Sequence, residues 1–104
     1  MYTFLDQFMA DLPRMAEAQK SRLAGHDITA VLETKQGRRL CFQLKDGELL
    51  MPESIDKPDC TVTADEQVLL DLINGKLNPM KAVMLRRVVI HGDINKLISM
   101  IGLL

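Results

Sequence analysis

Two histidines, two cysteines and three serines are the residues with which this chain could do nucleophilic or metal chemistry. Ser21, Ser54 and Ser99 lack the flanking glycines of a strained nucleophile turn. His26 and His91 lie 65 residues apart and Cys41 and Cys60 lie 19 apart, whereas a zinc site uses close ligand spacing. There is no Gly-rich phosphate loop and no His-Glu-x-x-His. Cys41 and Cys60 fall among alternating strand residues, where a thiol serves as a small packing group. No catalytic set, metal or cofactor is therefore expected, and an enzyme is the least favoured reading. The seven methionines are different in kind. Met15, Met80, Met84 and Met100 fall on helical stripes, where Met either fills gaps in a core or forms a pliable wall for ligands of variable shape.

The chain has 104 residues, enough for a single domain over 1–104. A net charge of -1 gives no electrostatic footprint for nucleic acid and no polybasic membrane patch. Hydrophobic residues at 47% and charged residues at 26% exclude disorder. With glycine counted, the apolar share lies slightly above the ~45–50% of ordinary domains. The first dozen residues lack a basic start followed by an apolar block, so no signal peptide is read there. No apolar run approaches the ~20 residues of a membrane span. The longest, Val68 to Ile73, is broken by Asp71. With only two cysteines, the expectation is a cytoplasmic protein without an integral membrane segment.

The elements that must position these side chains are set by period and punctuation. Phe4, Leu5, Phe8, Met9 and Leu12 recur at helical spacing, and Met15, Ala16, Ala18, Gln19 and Leu23 continue the stripe to a stop at Gly25. Pro13 is expected to break or kink this stretch, with Asp11 capping the next turn. Ile28 to Glu33 and Arg39 to Lys45 alternate as strands, and Asp46-Gly47 turns into a third, Glu48 to Met51. This is a meander with one apolar face. Cys60, Val62 and Ala64 form a fourth strand, and Thr63 with Glu66 suggests a capping box opening a helix that stops at Gly75. Asn78-Pro79 opens a short helix. Arg86 to His91 reads as a fifth strand, which places Arg86 on the face of Val88 and Ile90.

Gly92-Asp93 leads into a last helix striped by Ile94, Leu97, Ile98 and Ile101 and widened by Met100, Leu103 and Leu104. A helix covering a solid core needs a narrower stripe. This one suits burial between two layers, packing on a second subunit, or a lid over a cavity. The fold class expected is α+β: a five-stranded, largely antiparallel sheet with helices on one face.

The stretch PDCTVTADEQVLLDLINGKLNPMKAVMLRRVVIHGD, Pro58 to Asp93, resembles the sterol carrier protein type 2 (sterol-binding) domain family. Pro58, Asp59, Thr61, Val62 and Thr63 fit that family's strand. Gly75, Lys76, Leu77 and Pro79 fit its turn. Ala82, Met84, Ile90, Gly92 and Asp93 fit its short helix, its last strand and the closing Gly-Asp. Where the family usually has a glycine before the last strand, this chain has Arg86. The resemblance implies a five-stranded sheet with helices over one face enclosing an apolar tunnel. It also implies non-catalytic binding or transfer of sterols, fatty acids, acyl-CoA or phospholipids, with no metal.

On that reading the residues expected to line the cavity are Phe42, Leu69, Leu72, Ile73, Met80, Val83, Met84, Leu97, Ile98 and Ile101. They come from the stripes of three helices and the apolar sheet face. Equally, they suit a solid core. Arg86 is either a partner for a lipid carboxylate or phosphate or a solvated arginine. The partner expected is a small apolar ligand. The alternative is an interaction or accessory module that forms a homodimer, or docks a lipid- or quinone-metabolising partner enzyme, through its apolar last helix.

Overall fold

Strands β1 (Asp27–Thr34), β2 (Arg39–Lys45), β3 (Glu48–Leu50), β4 (Cys60–Ala64) and β5 (Val88–Gly92) form one sheet in the order β3-β2-β1-β4-β5. The computed structural model describes residues 1–101, without the side chains of Met100 and Ile101. The β1–β2, β2–β3 and β4–β5 pairs are antiparallel and β1–β4 is parallel. The sheet is thus five-stranded and largely antiparallel. The parallel pair arises because residues 51–59 carry the chain back from β3 to re-enter beside β1 in the same direction.

The meander has one apolar face, as expected, and a single buried apolar pair on the other. Register stacks Ile28, Ala30 and Leu32 with Leu44, Phe42 and Leu40 on the side of the helices. By strand alternation Val31 and its partner Cys41 point the other way, yet they are 0% and 5% exposed. The 51–59 connection accounts for this: Glu53 carbonyl oxygen accepts from the Cys41 thiol at 3.7 Å. A strand whose two faces are both covered cannot show a clean period-two burial pattern.

Among the described residues five helices accompany the sheet: α1 (Leu5–Ala18), α2 (Lys20–Leu23), α3 (Glu66–Ile73), α4 (Pro79–Met84) and α5 (Ile94–Ile101). Among the described residues no helix is long and apolar enough to cross a membrane. Pro13 does not break α1. Its exposed ring removes one backbone donor, while Leu5, Leu12 and Ala16 stay buried on both sides of it, and this packing holds the helix together. Asp11 caps nothing; it accepts from the Tyr2 hydroxyl at 2.8 Å and pairs with Arg14 at 3.4 Å. The α3 cap is Asp65 rather than Thr63, its carboxylate accepting from Gln67 N–H at 2.8 Å. Asn78 caps α4 and Asp93 caps α5.

The start of β5 also differs from expectation. Arg86 is not in a strand; it takes φ 58°. Its N–H bonds to Val83 carbonyl at 3.1 Å and that of Arg87 to Ala82 carbonyl at 2.9 Å. This is the paired closure of a helix C-terminus in which glycine usually holds the left-handed position. The end of α3 has the same pattern with glycine in place: Gly75 N–H to Leu72 carbonyl at 3.2 Å and Lys76 N–H to Asp71 carbonyl at 2.8 Å.

Among the described residues the helix side of the sheet holds two separate clusters of buried residues. One joins Leu5, Ala64, Val68, Leu69, Ala82 and Val88. The other joins Ala16, Leu23, Ile28, Leu44 and Cys60. Among the described residues only Ile90, on β5, packs against both.

Candidate functional site

The expected site residues divide into an inner and an outer group. Leu69 is buried, and Leu72, Ile73 and Val83 are half-buried against the first cluster. Leu97 is half-buried against the second. Phe42 is half-buried on the same sheet face, opposite Ala30. These six face the layer between sheet and helices. Met80 at 58% exposure, Met84 at 80% and Ile98 at 44% lie outside it. Arg86 is exposed at the end of α4, because the left-handed turn removes it from the strand that was to aim it inward. The expected side-chain role of Ile101 lies outside the described residues, as do those of Met100, Leu103 and Leu104.

Sheet residues complete this layer. Leu32, Leu40, Val62 and Ile90 pack on the first cluster from below. Their alternation in the strands was the available signal; a choice weighted toward helix stripes passed over them.

One open cleft of ≈ 460 Å³ lies between Gly25–Asp27 and α5, lined there by Lys96 and Ser99. Another of ≈ 290 Å³ lies between α1 and β3. Neither is lined by any of the expected site residues. Buried side chains of α1, α3 and α4 pack with those of β4 and β5 in the first cluster.

α5 follows β5 and reaches the second cluster through Leu97. None of its described side chains is fully buried. Leu97 enters the second cluster, while Ile94 and Ile98 remain 39% and 44% exposed. A polar clasp fixes it. Asp59 Oδ2 accepts from Thr29 N–H at 2.9 Å and from Lys96 Nζ at 3.2 Å. Asp93 N–H in turn bonds to Asp59 carbonyl at 2.9 Å. The Thr29 hydrogen bond, with help from Lys96, holds the Asp59 carboxyl below the usual carboxylate range. Burial pushes the neighbouring Cys60 thiol up, which keeps it protonated and a poor nucleophile. Among the described residues no group of three or more His, Cys, Asp or Glu is placed to hold a metal ion.

A mixed sheet, a helical layer and an apolar seam between them define an α+β fold. The family model of the SCP-2 sterol transfer family matches residues 5–104. The chain belongs to this family. Among solved structures it is similar to the stereoselective inverting sec-alkylsulfatase Pisa1 from Pseudomonas sp., with 27% identity and TM-score 0.75 over 82% of this chain and 14% of that one. The chain therefore spans about a seventh of that sulfatase's length. It is also similar to the ubiquinone synthesis protein UbiJ-SCP2, with 20% identity and TM-score 0.65 over 99% of this chain and 93% of that one. Palmitated SCP2L2 from Aedes aegypti has 15% identity and TM-score 0.71 over 94% of this chain and 91% of that one. These last two likenesses concern the fold alone. No curated protein matches the sequence.

Proposed function

We propose that the chain binds and transfers an apolar, fatty-acyl-like ligand in the layer between sheet and helices, without catalysing a reaction itself. The observation that carries this is the division of the interior into two clusters that meet only at Ile90 among the described residues. Half-buried Leu72, Ile73 and Val83 stand on one side of that seam and half-buried Leu97 on the other. Parting α5, which reaches the second cluster through Leu97, opens the seam. An acyl chain then regains ~0.8 kcal/mol per methylene removed from water. About a dozen methylenes offset the cost of association. Membership of a sterol transfer family supports the reading, as does similarity in fold to a palmitated protein. Two buried free cysteines suit a reducing, cytoplasmic setting.

Phe42, Leu69, Leu72, Ile73, Val83 and Leu97 are the proposed ligand-facing residues, with Ile98 at the mouth. Arg86 stands outside this layer. Titrating delipidated protein with a fluorescent fatty acid tests the reading. Saturable binding at one ligand per chain, displaced by unlabelled palmitate and equal in Arg86→Ala, is expected. No saturable uptake would overturn it.

A second reading, an accessory module working beside an enzyme, is favoured by one observation: the fold recurs as a small part of a sec-alkylsulfatase. Exposed Ile94 and Ile98 would then be covered by a partner or a second copy. Sedimentation over a concentration series separates a dimer from a monomer.

A further inference from the structure

From Leu72 to Gly92 the chain carries four cations, Lys76, Lys81, Arg86 and Arg87, and no Asp or Glu. Set against the overall net charge of -1, the +4 of this stretch leaves -5 on the rest of the chain. At its centre α4 and the turn after it present Met80, Met84 and Leu85 at 58%, 80% and 61% exposure. Met80 and Met84 are four apart and share one helix face. The closure of α4 by Arg86 and Arg87 N–H groups keeps both arginines within a turn of Met84 and Leu85. Lys81, Arg86 and Arg87 make no salt bridge among the described residues. Single exposed apolar side chains are ordinary, but a cluster rimmed by charge of one sign marks an interaction surface.

We propose that α4 and its C-terminal turn dock this protein on an anionic lipid bilayer. Met80, Met84 and Leu85 enter the acyl boundary, and Lys81, Arg86 and Arg87 meet the headgroup phosphates. Charge complementarity selects this occupant. Each Lys or Arg near an anionic surface strengthens binding about fivefold, and long basic side chains keep their charge at the headgroups while their stems follow the apolar side chains inward. Methionines this exposed stand clear of the protein and fit a soft surface that closes around them. The surface does not depend on what the interior holds, so its test needs no cargo.

The test is co-sedimentation of the whole chain with vesicles of phosphatidylcholine alone and of phosphatidylcholine mixed with phosphatidylglycerol. Binding to the mixed vesicles, weak binding to the neutral ones and release by salt are expected. Reversing Lys81, Arg86 and Arg87 to Glu together should weaken binding roughly 100-fold, and Met84→Asp roughly tenfold. Arg86→Gly removes one cation while relaxing its turn, so it stays folded and should lose about fivefold. Circular dichroism melts confirm that each variant is folded. Equal binding to both vesicle types, or a folded triple variant that binds like wild type, would overturn the proposal. Retention on polyglutamate without vesicle binding would also overturn it and assign the surface to an acidic protein.

Discussion

Asp59 and Lys96 meet at 3.2 Å, and through that pair the loop before β4 holds the last helix against the sheet. Asp59 also accepts from Thr29 N–H, so one carboxylate ties β1, β4 and α5 together. Both side chains are partly exposed, at 39% and 37%, which limits the pair to about 1 kcal/mol. Asp59→Asn keeps an acceptor for Thr29 but loses the charge pair. It should speed hydrogen exchange of the α5 amides more than those of β1.

The pH dependence of that clasp has a definite sign. The native Asp59 carboxyl lies below its ordinary value, so its stabilisation is complete above the unfolded value of about 3.9. It is lost as pH falls through the lower native value. Urea melts from neutral pH into acid should show wild type more stable than Asp59→Asn at neutral pH, with the two curves converging in acid. Parallel curves would remove the clasp.

Gly92 sits opposite Cys60 where β5 crosses the end of β4, with φ 103°. A Cβ there would lie 2.2 Å from Asp59 carbonyl oxygen and 3.0 Å from Cys60 Cα, both backbone atoms. Gly92→Ala should therefore cost at least about 3 kcal/mol, by strain and by displacing the clasp. A melting temperature close to wild type would contradict this packing.

The ends of α3 and α4 form a natural comparison. Both close by the same two backbone hydrogen bonds, one around Gly75 and one around Arg86. A non-glycine residue in the left-handed region costs roughly 1–2 kcal/mol, part of which glycine returns as chain entropy. Arg86→Gly should stabilise by about 0.5–1 kcal/mol and Gly75→Ala should destabilise by about 1 kcal/mol in denaturant melts. Opposite signs at the two sites are the outcome to look for.

What could be read from the sequence was mostly what is decided locally. Asp46-Gly47, Asn78-Pro79 and Gly75 mark turns and helix ends by their own backbone preferences, and all three stand where expected. Arg86 was misplaced because a left-handed arginine has no local signature; the tertiary path from α4 into β5 imposes it. Asp65 displaced Thr63 as the α3 cap because Thr63 is held in β4, opposite Val89. Pro13 was overridden by packing, and the burial of Val31 and Cys41 was not legible, because the 51–59 segment that reaches Cys41 through Glu53 has no pattern of its own. The state of the interior was beyond reach, since Leu72 or Val83 reads the same whether it fills a space or lines one.

Ile90 is the hinge of the binding proposal, as the residue that touches both clusters. Ile90→Phe adds volume where the acyl chain is to lie. It should lower fatty acid affinity at least tenfold, while the half-buried position keeps the stability loss to about 1–2 kcal/mol. Unchanged affinity would move the ligand elsewhere.

Native mass spectrometry of the protein purified from cells is the most direct test of the central claim. A family of bound masses, one lipid per chain, removed by organic extraction and restored by added fatty acid, is the predicted result. A single bare mass before extraction, with no uptake afterwards, would contradict it.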